Sequence, residues 1–303
     1  MTDSTGTDVP GDVASTPAAA EVFAAVGNET RLAILRALWD AEERPVSFTD
    51  LRRTVGIEDS AQFNYHLRQL TGRFVRKTDE GYDLRFAGRE MVRAVVIGTF
   101  TEDPTLDAFE TGGAYVDCGG GLQASYTEEL VHIECGDCGR LHSRLPFPAS
   151  GLRDRSPEEL LAAYDRRVRH DYALTVDGVC PACSGRMETQ FDPSFLVGVG
   201  EGTADECSIP PEFGVEHTYT QCDTALRAAV GMCLLDAPVV GAFYRDNGVD
   251  VSAVPYWELP WAMGEDTTLV TDEPLRVAVA VEDDRLRVVV DESLAVVEAT
   301  PVE

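Results

Sequence analysis

Cys135-Gly-Asp-Cys138-Gly and Cys180-Pro-Ala-Cys183-Ser-Gly are the parts of this 303-residue sequence whose residue types and spacing most directly imply chemistry. Two thiolates two residues apart, on a turn relaxed by a nearby Gly, form half of a tetrahedral metal site. Two such halves close the site with Zn–S bonds of about 2.3 Å, so the expectation is one structural Zn(2+) held by Cys135, Cys138, Cys180 and Cys183. A redox dithiol or unmetallated thiols are the alternatives. His132 and His142 flank the first knuckle, but four cysteines already fill a tetrahedral sphere. Cys118, Cys207, Cys222 and Cys233 lack paired spacing and are expected to be buried as small hydrophobes.

The 41 residues between the knuckles exceed the usual spacing and must hold an element of their own. Ser156-Pro-Glu-Glu-Leu starts it, an N-capped helix with Pro at its first position that runs to about His170. Residues 112–190 therefore read as a zinc ribbon with a helical insert. Residues 191–303 read as an acidic mixed α+β region. GRMETQF and GVEHTYTQC suggest strands, Thr224 to Leu235 and Pro238 to Asp246 helices, and LRVAVAV with RLRVVV an antiparallel hairpin before a final strand near Ala295 to Ala299. The aromatic stretch Val254 to Met263 is expected to be buried as a loop rather than to line a pocket.

A second set of residues has the types that read nucleic acid. Residues 1–17 are polar and read as a disordered tail. Beyond them Leu32, Leu35, Leu38 and Trp39 share a helical face behind the N-cap Asn28. Ser47 and Asp50 suggest a capping box for a helix with Phe48, Leu51 and Val55 inward, ended by Gly56. A third helix, Ser60 to Leu70, turns Phe63, Leu67 and Leu70 inward and leaves Ser60, Gln62, Asn64, Tyr65, Arg68 and Gln69 outward. Gln and Asn suit adenine N6/N7, and Arg suits guanine O6/N7. Asp79-Glu-Gly81 joins two short strands into a hairpin whose Arg76, Lys77 and Arg85 are spaced for phosphates. A fourth helix carries Met91, Val92, Val95 and Val96, with Phe100 beyond it, a candidate homodimer seam.

Charge supports that division. The chain has 53 acidic and 25 basic side chains, a net charge of −28, and a single lysine, Lys77. This balance looks like a cytoplasmic protein of a salt-in halophile, where a Debye length of roughly 3 Å at 1 M screens self-repulsion. Residues 21–100 hold 12 basic and 12 acidic residues, so the whole excess lies elsewhere. A neutral segment in so acidic a chain suggests either a polyanionic partner or a locally neutral fold of arginine-rich helix surfaces. No apolar run approaches the roughly 20 residues that span a bilayer, and the N-terminus lacks the pattern of a signal peptide.

FAAVGNETRLAILRALWD, FTDLRRTVGIEDSAQFNYHLRQL and FVRKTDEGYDLRFAGRE together resemble the ArsR-type winged helix-turn-helix regulators found in haloarchaea. The resemblance covers residues 18–100 and implies a winged helix-turn-helix DNA-binding domain. Metal-sensing members carry cysteines on this domain, whereas no cysteine precedes Cys118, so that mode of sensing is not implied.

The expected fold class is therefore α+β, a winged helix-turn-helix followed by a zinc ribbon with helical insert inside a mixed α/β region. The expected function is a transcription regulator that binds double-stranded DNA, as a homodimer reading two half-sites. Its C-terminal region would serve sensing or partner contact. The alternative is a protein–protein adaptor of the archaeal transcription machinery that contacts basal transcription factors without reading DNA sequence. No phosphate loop, H-E-x-x-H or G-x-S-x-G motif is present, and an enzyme is not expected.

Overall fold

Short polar caps start the helices where the sequence places them. In the computed structural model, which describes residues 19–115, 118–191, 214–219, 222–264, 267–272, 274–281 and 285–301, Asn28 accepts a hydrogen bond from the Arg31 N–H at 3.2 Å and opens a helix. Ser47 accepts from the Asp50 N–H at 3.1 Å, but Asp50 does not complete a capping box. Its shorter side chain takes the Ser47 hydroxyl at 2.6 Å and Arg53 at 2.6 Å instead. The chain forms two compact units, Met1–Thr101 and Glu102–Glu303.

The first unit runs α1 (Ala19–Val26), α2 (Glu29–Asp40), α3 (Phe48–Val55), α4 (Ser60–Leu70), β1 (Val75–Lys77), β2 (Tyr82–Leu84) and α5 (Phe86–Val96). β1 and β2 are an antiparallel hairpin with Val75 opposite Leu84. The core joins Ile34, Leu35 and Leu38 of α2 to Leu51, Phe63, Leu67, Leu70, Phe74 and Val92. The buried stripe of α2 centres on Ile34, Leu35 and Leu38, which leaves Leu32 on the flank, 41% exposed, contrary to its expected place in the core. At 3.6 residues per turn Leu32 points roughly 110° from the centre of that stripe. α5 lies close against the hairpin, since a Cβ on Gly88 would fall 2.3 Å from the Phe74 carbonyl oxygen. Val92 is buried, and Met91 and Val96 pack on the same core, so most of the expected seam is used within the unit.

Among the described residues, the second unit has three antiparallel sheets and one long helix. β3 (Leu106–Ala114), β4 (Gly121–Thr127), β5 (Leu130–Cys135) and β6 (Leu141–Pro146) form the first sheet in that order. α6 (Pro157–Val176) follows, with a complete capping box: Ser156 accepts from the Glu159 N–H at 3.3 Å and donates its own N–H to the Glu159 carboxylate at 2.8 Å. The second sheet is β7 (Glu188–Phe191), β8 (Gly214–Tyr219) and β9 (Thr224–Ala229). After α7 (Pro238–Asp246) comes a third sheet, β10 (Thr267–Asp272), β11 (Leu275–Val281), β12 (Leu286–Asp291) and β13 (Val296–Pro301). The β11–β12 hairpin is the one expected from the alternating valines.

Thr224 to Leu235, expected as a helix, is instead β9 followed by the 3-10 turn Val230–Leu234. Its alanines favour a helix, and pairing with β8 overrides that preference. Gly231 in that turn lets the backbone of Trp261 pack against it, because a Cβ there would lie 1.9 Å from the Trp261 carbonyl oxygen. The aromatic stretch is buried as expected, but Tyr256 and Met263 within it also line a cleft, contrary to the expectation. A buried Asp165–Arg169 pair on α6, 3.0 Å apart, holds the stretch: Asp165 accepts from the Tyr256 N–H at 2.8 Å, and Arg169 donates to the Val254 carbonyl at 2.5 Å.

Candidate functional site

On α4 the expected division of faces holds. Asp59 caps the helix by accepting from the N–H groups of Ala61 (2.8 Å) and Gln62 (3.3 Å). Phe63, Leu67 and Leu70 are buried, while Ser60, Gln62, Asn64, Tyr65, Arg68 and Gln69 are all exposed. The hairpin cations differ from one another. Arg76 is exposed but grips Asp83 at 2.6 Å, and Arg89 lies 3.4 Å from the same carboxylate. Burial would push Asp83 up, yet the Arg76 guanidinium, the Leu84 N–H and Arg89 outweigh it and hold the carboxyl below the usual range. Arg85 donates to the Gly72 carbonyl. Lys77 is exposed and makes no ion pair with a described residue. Of the three hairpin cations expected on phosphates, Lys77 alone is thus uncommitted to the hairpin itself.

The cysteines are arranged otherwise than expected. Cys135 and Cys138 do not share a site with Cys180 and Cys183. Two clusters form, Cys118 with Cys135 and Cys138, and Cys180 with Cys183 and Cys222, and each could hold a metal ion. The sheets explain the correction. The Cys135 knuckle joins β5 to β6, and the turn between β3 and β4 in that sheet supplies Cys118. The Cys180 knuckle precedes β7, and the β8–β9 turn of its own sheet supplies Cys222. Cys118 and Cys222, read from the sequence as buried thiols, are exposed and sit among the other sulfurs. They were missed because a lone cysteine has no partner spacing, and the glycines after Cys118 were the available signal.

Cys118 Sγ lies 3.4 Å from Cys135 Sγ and 3.7 Å from Cys138 Sγ. Cys222 Sγ lies 3.6 Å from Cys180 Sγ and 3.3 Å from Cys183 Sγ. These separations are far above a disulfide's roughly 2.05 Å and close to the ~3.8 Å between thiolates at the corners of a tetrahedral zinc with 2.3 Å bonds. Burial pushes the Cys180 thiol up, but the N–H groups of Cys183 and Ala182 and the Thr224 hydroxyl outweigh it and bring it down to about 7. At Cys183 the Gly185 N–H favours the thiolate, but the neighbouring Cys222 and Cys180 thiols prevail and push it up to about 11. Thiols must lose their protons to bind a metal, so a cation entering this cluster would release protons.

The remaining cysteine and histidines lie apart from these clusters. Cys207 lies outside the described residues. Cys233 is buried, pushed up to about 12 by desolvation, with its Sγ 3.5 Å from His217 Nε2. His142 Nε2 bonds the Trp257 carbonyl oxygen at 2.9 Å, and His132 belongs to neither cluster. His217, fully buried, also meets Thr189 Oγ1 at 2.9 Å, and desolvation lowers its pKa from 6.5 to about 4. Between those two values the unfolded chain takes up a proton that the folded one refuses, so stability falls as pH falls through that window. The loss should reach about 3 kcal/mol at its acid end. Urea unfolding of His217→Gln should show a flatter slope than wild type between pH 6.5 and 4, and parallel slopes would disprove it.

A cleft of about 600 Å³ opens between β6, α6 and β9, with Tyr172, Tyr256 and Met263 among its walls. Pro181 and Ala182 of one knuckle and Asp223 and Thr224 beside Cys222 line it too, so the second cluster borders it. Ser143 Oγ and Tyr256 Oη lie 2.6 Å apart at its wall. No described helix is long and apolar enough to cross a membrane.

No curated protein matches the chain. Residues 19–95 match a family described as a domain of unknown function, DUF7347. Residues 113–296, more than half of the chain, match a second, DUF7351. The exposed polar face of α4 lies within the first match, and both cysteine clusters lie within the second. By the extent of that second match, this chain belongs to the DUF7351 family of domains of unknown function.

Proposed function

We propose that the protein is a transcription regulator whose first unit is a winged helix-turn-helix, with α4 as recognition helix and the β1–β2 hairpin as wing. The polar face of α4 carries this reading: six side chains suited to base edges and phosphates stand exposed on a capped helix seated on Phe63, Leu67 and Leu70. A recognition helix presents such residues to the major groove, and a wing beside it reaches the backbone. The neutral charge of residues 21–100 within a chain of net charge −28 supports a polyanionic partner. The protein acts as a homodimer on paired half-sites, for which Phe100, 70% exposed at the end of the expected seam, remains available. The second unit serves sensing, and its cleft has the size of a small-ligand site. It is a binding protein and not an enzyme.

The test is binding to genomic fragments, then to an operator and its single-base variants, at fixed molar KCl. Screening at that salt leaves base-edge hydrogen bonds to carry discrimination. Asn64→Ala and Arg68→Ala should each cost about 1–3 kcal/mol and relax preference at particular bases. Lys77→Ala should weaken all sequences alike. If Lys77→Ala changed base preference and the α4 variants did not, the docking would be wrong. Loss of all duplex binding with capture of a basal factor would favour the adaptor reading.

A further inference from the structure

Four turns in the second unit follow one pattern. In Tyr115–Gly120, Cys135–Arg140 and Cys180–Gly185, the first residue's N–H donates to the sixth residue's carbonyl, and the fifth residue's N–H donates to the first residue's carbonyl. The distances are 2.7 and 2.7 Å, 2.9 and 2.9 Å, and 2.8 and 2.8 Å in turn. The fourth turn is also six residues long, Tyr219–Thr224, with Tyr219 opposite Thr224 at the end of β8. The fifth residue is left-handed in all four: Gly119 at φ +70°, Gly139 at +70°, Ser184 at +63° and Asp223 at +55°. A left-handed residue other than glycine is uncommon, and for Ser184 more so than for Asp223. The fourth residue is a cysteine each time, Cys118, Cys138, Cys183 or Cys222. The first is cysteine in two turns and tyrosine, Tyr115 or Tyr219, in the others.

The turns pack in pairs. A Cβ on Gly120, ending the Tyr115 turn, would fall 2.7 Å from Cys135 Sγ, and one on Gly185, ending the Cys180 turn, would fall 2.3 Å from the Tyr219 ring. Each pair joins one Cys-x-x-Cys turn to one Tyr-x-x-Cys turn, and each makes one of the three-sulfur clusters. Soft thiolates at tetrahedral spacing select zinc over the hard cations.

We infer that the chain holds two zinc ions, one at Cys118, Cys135 and Cys138 and one at Cys180, Cys183 and Cys222, in two copies of one ribbon-like design. In each copy a tyrosine stands where a four-cysteine site would carry its fourth cysteine, so the described residues bring three thiolates and no fourth to each ion. This assignment does not depend on what the first unit binds.

Zinc content of the purified full-length protein tests it. Two ions per chain are expected. Cys118→Ser and Cys222→Ser should each remove one, and Cys233→Ser neither. One zinc per chain that survives both Cys118→Ser and Cys222→Ser would restore a single four-cysteine site and overturn the inference, as would a chain free of zinc. Should ligand variants fail to fold, cobalt(II) titration of the metal-stripped wild type replaces them. Thiolate-to-cobalt charge-transfer absorption should saturate at two equivalents, and saturation at one would overturn it. Tyr219→Cys should add a fourth thiolate to the second site. Its absorption should then rise and its zinc affinity should gain at least the roughly 10-fold typical of losing or gaining a supporting partner; no change in either would sink the proposed equivalence of the turns.

Discussion

Chelating the inferred zinc is expected to lower the melting temperature of the Glu102–Glu303 unit and to leave that of the Met1–Thr101 unit in place. Structural zinc contributes roughly 10–16 kcal/mol to zinc-finger peptides at neutral pH, whereas whole proteins retain only about 5–15 kcal/mol of net stability. The second unit has a large core of its own, from Tyr115 and Leu122 through Tyr164 to Trp261 and Val290, so it does not depend on metal as a lone finger does. Yet each cluster ties together two turns far apart in sequence that meet at one end of a single strand pair, β4–β5 or β7–β8. Cys118 is 17 residues from Cys135, and Cys180 is 42 from Cys222. Without the ion, three sulfurs 3.3–3.7 Å apart have only weak S–H contacts to hold them. Calorimetry with and without a chelator should show two transitions, of which only one moves. The first unit has no cysteine, which is why its transition should stay in place. Equal shifts of both, or of neither, would contradict this.

Phe63→Ala and Asn64→Ala, one residue apart on α4, should fail in opposite ways. Phe63 is fully buried and meets Phe48 edge-on with ring centroids 5.1 Å apart. Its removal should cost about 3–5 kcal/mol in unfolding of the first unit, the usual range for Phe→Ala in a close-packed core. Asn64 is exposed and makes no contact within that core, so its removal should change stability by no more than about 0.5 kcal/mol. Its effect should instead appear in DNA affinity. Denaturant unfolding of both variants, beside binding at fixed KCl, separates the two. If Asn64→Ala proved as destabilising as Phe63→Ala, α4 would not have the free face on which the functional reading rests.

What the sequence by itself determined is local. Asn28 and Ser156 cap their helices as expected because a cap satisfies N–H groups only two or three residues away. The burial pattern of α4 was legible because helical period alone separates Phe63, Leu67 and Leu70 from Asn64 and Arg68. Cys-x-x-Cys was legible because both sulfurs lie on one turn. Tertiary structure decided everything that joins distant residues. β8 made a strand of the alanine-rich segment 224–229, since a ladder outweighs the small difference in intrinsic preference. Only the folding of two separate sheets set which cysteine completes which knuckle. Spacing along the chain suggested that one knuckle pairs with the other, but the β3–β4 turn delivers Cys118 to the first and the β8–β9 turn delivers Cys222 to the second. A thiolate binds whatever shares its ion in space, and sequence separation carries no information about that once a strand pairing has brought two turns together.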